Sequence, residues 1–293
     1  MATIEQTPVA MRAFAARPQR TTLLRWLRNR NLMIGLAMIG SLIAVALLAP
    51  WLTPYEPQAQ DYDVILQPPY LAHPFGTDNF GRDILTRVIH GARIDLQVGA
   101  IAVIAPFLIG VTLGCLAGYF GGWLDTIIMR AVDIVQAFPF IVIVVTIVAV
   151  LGPGLQNMYI AVGLTAWIVY ARLMRSEILV VKHKEYIEAA QVIGLSDRQV
   201  IMRHLLPNVI TSAIVYAMAD IALYIGLAAA LSFLGLGAKP PEPEWGAMIT
   251  EGRAYITTAW WMSIFPGLAM VYTGTGLSLI GDGLADVLRP GGR

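Results

Sequence analysis

Six stretches of this chain are too apolar and too poor in charge for the surface of a soluble fold. A membrane-crossing helix needs about 20 mostly apolar residues. The runs 32–52, 96–117, 127–151, 158–173, 209–235 and 261–280 meet or approach that length. The first two hold no charge, and the third has Arg130 and Asp133 only in its first turns. The fourth is the shortest, and the fifth carries Asp220 near its centre. None alternates apolar and polar residues as a membrane barrel strand does. The pattern predicts an all-α, polytopic membrane protein with six transmembrane helices.

Composition agrees. Hydrophobic residues make up 57% of the chain and charged residues 13%, about half of the roughly 25% charge of a soluble domain. A net charge of +1 gives no reason to expect nucleic acid as a partner. The single cysteine, Cys115, excludes a disulfide framework, and His73, His90, His183 and His204 lack metal-site spacing. The first run exceeds the apolar core of about 7–15 residues in a signal peptide, and no small-residue cleavage site follows it. It reads as a retained helix.

Orientation follows from Lys and Arg, which accumulate on the cytoplasmic side. With a cytoplasmic N-terminus, the inner side carries Arg12, Arg17, Arg20, Arg25, Arg28, Arg30 and Arg130. It also carries Arg172, Arg175, Lys182, Lys184, Arg198, Arg203, Arg289 and Arg293. The outer side carries Arg82, Arg87, Arg93, Lys239 and Arg253. The three-to-one bias predicts cytoplasmic termini. The domain reading is a cytoplasmic segment 1–31, a first helix 32–52, an extracytoplasmic stretch 53–95, and a membrane core 96–293. Within 53–95, Ile84, Leu85, Val88 and Ile89 at helical spacing predict an amphipathic helix lying on the outer surface. A second outer loop, 236–259, is stiffened by prolines.

One polar stretch interrupts the apolar pattern on the inner side: KEYIEAAQVIGLSDRQVIMRHLLPN, residues 184–208. Tyr186, Ala189, Ala190 and Ile193 share one small, apolar helix face, with Glu185 and Glu188 pointing elsewhere. Gly194 stands where a left-handed helix end is cheapest as glycine. Ser196 followed by Gln199 is a capping box opening a second helix. Val200, Ile201, His204 and Leu205 form its apolar face, and Pro207 is expected to close it before the fifth span. Two readings stay open: a docking surface for a partner, or an ordered loop packing on its own helix ends.

These residues carry a resemblance. Glu188-Ala189-Ala190, Gly194 and Leu206-Pro207 are similar to the EAA motif of ABC-importer permeases, with His204 where the family form has isoleucine. The stretches NRNLMIGLAMIGSLIAVALLAPWLTPY, HPFGTDNFGRDILTRVIHGAR, GYFGGWLDTIIMRAVDIVQAFPF, LSFLGLGAKPPEPEWGAMITEGR and IGDGLADVL resemble the second-type permease of the dipeptide/oligopeptide/nickel group. The terminal VLRPGGR departs from the acidic-Pro ending of that group.

The resemblance implies a type I ABC-importer permease fold in the bacterial inner membrane. It implies a second homologous permease as a heterodimer partner, two ATP-binding subunits below, and an extracytoplasmic solute-binding protein above. Tyr186, Glu188, Ala189, Ala190, Gly194, His204, Leu206 and Pro207 would then form the ATPase-coupling element within 175–208. ATP and Mg would bind on the partner subunits and no cofactor on this chain.

The residues themselves point the same way. A phosphate-cradling loop needs G-x-x-x-x-G-K-[ST], and none of Lys182, Lys184 and Lys239 follows a glycine. No nucleophile–base set appears, so an enzyme is not expected. A self-sufficient secondary transporter or channel is the alternative; it would show inverted repeats or several intramembrane charges, and neither is evident. The solute stays open among dipeptides, oligopeptides, nickel, opines, glutathione and sugars.

Inside the spans, Gly110, Gly114 and Gly118 stand four apart, a row that lets another helix approach closely, in this subunit or in a paired permease. Pro106, Pro139 and Pro266 are expected to kink their spans. An ionised residue at mid-bilayer costs about 2.5–3.5 kcal/mol on a lenient scale. Asp220 therefore either walls a translocation path, meeting a cationic amino group, or accepts a hydrogen bond from a Tyr, Thr or Ser on a neighbouring helix.

Overall fold

The computed structural model describes residues 26–288. The Arg-rich segment 1–25, with Arg12, Arg17, Arg20 and Arg25, and the terminal Arg289 and Arg293 lie outside them. The described residues are helical, with one isolated bridge between Thr77 and Asp83 and no named strand.

Helix α1, Arg30–Leu52, begins where Asn29 accepts from Leu32 N at 3.0 Å. Helix α2, Ile84–Phe120, follows the long connection. Then come α3 (Gly122–Gln136), α4 (Phe140–Leu151), α5 (Leu155–Thr165) and α6 (Trp167–Val181). A hairpin of α7 (Glu185–Val192) and α8 (Asp197–Val200) leads into α9 (Leu206–Phe233). Helices α10 (Trp245–Gly252) and α11 (Trp261–Leu288) are the last among the described residues.

Among the described residues, four helical runs can cross a bilayer by length and composition: Arg30–Leu52, Ile84–Phe120, Asp197–Phe233 and Trp261–Leu288; α3 with α4 makes up to five. The expected third span is not one rod. It bends by 82° between α3 and α4, because Pro139 has no N–H to donate and forces Phe138 out of helical geometry. The expected fourth span is two helices separated at Ala166. Pro106 and Pro266, by contrast, sit buried inside helices that continue through them.

The amphipathic surface helix expected near residue 84 is the first turns of α2. Asp83 caps it, accepting from Thr86 N and from Thr86 Oγ1, both at 2.7 Å. At 37 residues, α2 is about 55 Å long against a hydrocarbon core of roughly 30 Å, so it projects well beyond the bilayer.

Three buried clusters lie along α2. Val98 and Ala102 pack with α4, α5 and α9. Val111 and Cys115 pack with α6, α9 and the hairpin. Ile84 and Ala92 pack with α1, α10 and α11. Thus α2 is the axis on which the other elements are hung. Helix α1 lies antiparallel on α11: a Cβ at Gly283 would stand 2.5 Å from Leu32 Cβ, and one at Gly35 would stand 2.7 Å from Gly276 O.

Candidate functional site

The polar stretch folds into a hairpin with fixed ends. Helix α7 stops in a Schellman motif: Leu195 N donates to Ala190 O at 3.2 Å and Gly194 N to Gln191 O at 3.0 Å. That geometry needs a left-handed residue, and Gly194 has φ of +84°. The capping box forms at the start of α8, with Gln199 Oε1 accepting from Ser196 N at 3.0 Å.

The second arm does not end at Pro207 as expected. Helix continues from Asp197 to Phe233 through a π turn at Ile201–Leu205. Leu206 N bonds back to Ile201 O, and the wider turn accommodates a proline that cannot donate and would crowd the carbonyl four residues back. Asn208 Nδ2 donates to His204 O at 2.6 Å.

The hairpin rests on the body through Ile187, Val200 and Leu205, which are buried against α2, α6 and α9, with Leu195 packed alongside. The predicted apolar face divides. Ala190 turns inward with Ile187, while Tyr186, Ala189 and Ile193 face outward. Val192 is 86% exposed and Ile193 75%. Glu188, Gly194 and Pro207 are exposed, and His204 and Leu206 are half-buried. One face is seated and the other presents small and apolar groups outward.

Sequence reading missed the residues that hold the hairpin. Tyr119, near the end of α2, donates to Asp197 at 2.7 Å and accepts from Gln191 Nε2 at 3.4 Å, joining both arms. Lys182 Nζ donates to Gly118 O at 3.0 Å. Arg175 pairs with Asp125 through two bonds of 2.5 and 2.6 Å, and Arg172 with Asp133 at 2.9 Å, tying α6 to α3. The only forward signal was opposite charge on two segments, which gives no register.

The glycine row faces α6. A Cβ at Gly110 would stand 2.4 Å from Trp167 O, one at Gly114 2.4 Å from Ala171 O, and one at Gly118 3.0 Å from Ile178 Cβ. The three therefore set how closely α2 and α6 approach.

Asp220, 4% exposed, sits on α9. Its Oδ2 accepts from Tyr170 Oη at 2.8 Å and Tyr224 Oη at 3.0 Å. It is also part of the wall of a pocket that opens to the surface beside the exposed Phe138 and Leu223, so hydrogen bonding by tyrosine and contact with a pocket coexist.

At the end opposite the hairpin lies a buried polar knot that sequence reading did not find. Arg82 is 2% exposed and Arg87 0%. Arg82 Nε donates to Asp78 at 2.6 Å and its Nη2 to Glu251 at 2.7 Å; Arg87 Nη2 donates to Glu251 at 3.2 Å. Trp261 Nε1 donates to Thr77 O and Trp245 Nε1 to Val88 O, both at 3.0 Å. The connection before α2 and the first turns of α2 are thus interlocked with α10 and the start of α11 in one cap. Among the described residues no group of His, Cys, Asp and Glu could hold a metal ion.

With these sites in place, comparison with known proteins adds ancestry. The family described as "Binding-protein-dependent transport system inner membrane component" matches residues 110–293. The "N-terminal TM domain of oligopeptide transport permease C" matches residues 18–69. The dipeptide transport system permease protein DppC of Alkalihalophilus pseudofirmus is 42% identical over 276 residues, 94% of this chain and 91% of that protein. The glutathione transport system permease protein GsiD of Pectobacterium atrosepticum is 42% identical over 274 residues, 93% of this chain and 91% of that one. A chain of the MetNI methionine ABC transporter, in an inward-facing conformation, matches with a TM-score of 0.52 and 19% identity over 68% of this chain and 97% of its own, a likeness of fold.

Proposed function

This chain belongs to the family of binding-protein-dependent transport system inner membrane components and is a permease subunit of an ABC importer; from that premise we propose that it forms half of a translocation path for small peptides or a related solute. It is a transport subunit rather than an enzyme. Its place is the bacterial inner membrane, with the hairpin end and both termini cytoplasmic and the polar-knot end outside. A second homologous permease supplies the other half of the path. Two ATPase subunits, carrying ATP and Mg, dock from below, and an extracytoplasmic binding protein delivers solute to the knot end.

In this reading the segment 175–208, which contains the hairpin, is the coupling element, with Tyr186, Glu188, Ala189, Ala190, Gly194, His204, Leu206 and Pro207 shaping it, and Asp220 stands on the wall of the path. One observation carries the docking assignment. The C-terminal end of α7 is fixed by its Schellman motif and one face is seated, yet Val192 and Ile193 remain outward and unpartnered among the described residues. A segment ordered so closely that leaves its own apolar tip in water fits a groove on another chain.

The test is co-purification. Val192→Asp with Ile193→Asp touches no buried contact, so insertion and pairing with the second permease are retained. ATPase subunits should no longer elute with the pair, and uptake should be lost. Retention of both in the double variant would assign the hairpin to a connecting role.

A further inference from the structure

Interruptions of helix converge at one place among the spans. The turn 137–139 between α3 and α4, the break at Ala166 between α5 and α6, and the middle of α9 line a pocket of about 390 Å³ that opens beside the exposed Phe138 and Leu223. Its walls include Phe138, Phe140, Thr165, Tyr216, Tyr224 and Asp220. Broken helices at membrane depth persist where they line a cavity, and solute sites are often built there. The volume falls within the roughly 300–1,000 Å³ of ligand pockets.

Among the described residues Asp220 is the only charged one in those walls. Two phenol hydroxyls donate to its Oδ2, an arrangement suited to an ionised acceptor. Among the described residues no Lys, Arg or His pairs with it, and its Oδ1 receives no hydrogen bond. Arg172, on an adjoining surface, is already engaged by Asp133 at 2.9 Å. A carboxylate away from bulk water is stabilised by a cation at contact distance, and aromatic rings line the same pocket at Phe138, Phe140 and Tyr216, a side-chain type that attracts an ammonium group over its face.

We propose that this pocket is a subsite for the primary ammonium group of the passing solute. The permease itself then favours solutes with a free amino group beside a small apolar group over the same solutes with the amine blocked. This rests on the importer reading above, with Asp220 facing its path, and deepens it by naming the chemistry read inside the membrane.

The solute-binding protein also selects solutes, so the experiment omits it. The assembled permease–ATPase complex is purified in detergent, and saturation-transfer NMR compares dialanine with N-acetyl-dialanine. Wild type should give a signal for dialanine at least tenfold stronger. Asp220→Asn should abolish that preference and Asp220→Glu should keep it. If the Asn variant fails to assemble, Asp220→Cys in a Cys115→Ala background is modified after assembly, and only a negatively charged adduct should restore the preference. Equal signals or no signal in wild type, an unchanged preference in Asp220→Asn, or a preference indifferent to adduct charge each overturns the proposal. None of these results disturbs the importer reading, which fails instead if wild type carries no ATPase subunits.

Discussion

Tyr119 on α2 donates a 2.7 Å hydrogen bond to Asp197 on α8, so the helix that runs through all three buried clusters carries in its last turn the residue that grips the hairpin. If the hairpin couples to a partner, its displacement should pass to α2 and, through the close contacts at Gly110, Gly114 and Gly118, to α6. Removing the phenol oxygen isolates this link without opening the core, because Tyr119 is only half-buried.

Tyr119→Phe should therefore insert and pair normally while loosening the hairpin. The bond is worth about 1 kcal/mol at such a site, a shift of roughly fivefold in the occupancy of the held position. Uptake per ATP hydrolysed by the reconstituted complex should fall by a similar factor. An unchanged ratio would assign the clamp to folding alone.

Gly194 offers a cleaner perturbation. Its φ is +84° and a Cβ there would meet nothing within 4 Å, so substitution introduces backbone strain and no clash. Gly194→Val should cost about 1–2 kcal/mol and uncouple ATPase stimulation from uptake. Gly194→Asn, whose side chain tolerates the left-handed region, should retain most activity. Equal behaviour of Val and Asn would show that the left-handed turn is not what coupling requires.

The knot end answers to a different measurement. Glu251 is the shared acceptor of Arg82 and Arg87, and both guanidinium groups are buried. Among the described residues, Glu251→Gln leaves Asp78 as the only carboxylate paired with either arginine. Breaking a buried ion pair costs about 3–5 kcal/mol; the partial exposure of Glu251 places this loss near the lower figure. The midpoint of thermal unfolding in detergent should drop clearly, with uptake per folded complex little changed. A midpoint equal to wild type would mean the knot is not holding the cap together.

How far the sequence carried the reading depends on the kind of signal. Apolar runs and glycine spacing act locally, so α1, α9 and α11, the left-handed Gly194 and the capping box were legible. The failures were of two sorts. Periodicity was blind to breaks inside apolar runs: 127–151 reads as one span by composition, and only the lost donor at Pro139 splits it. Pro207 erred the other way, because a π turn absorbed the proline that a simple rule takes as a stop. Partners far apart in the chain, such as Arg82 with Glu251 or Tyr119 with Asp197, leave no periodic trace and become visible only when the helices are packed.

Orientation in the membrane is the last expectation, and it comes from charge. Arg172, Arg175, Lys182, Lys184, Arg198 and Arg203 gather at or near the hairpin, the side retained in the cytoplasm by the bias of Lys and Arg. Gln58 lies in the connection ahead of α2 and Gln191 on α7, and both are exposed. Cys115 is buried, and Cys115→Ala removes it as a background signal. In that background, Gln58→Cys should react with a membrane-impermeant maleimide in intact cells. Gln191→Cys should react only after permeabilisation; it gives up the 3.4 Å bond to Tyr119, too weak a contact to displace a hairpin seated through Ile187 and Val200. Labelling of both sites from outside, or the reverse order, would overturn the assignment of the hairpin to the cytoplasm and with it the docking of ATPase subunits there.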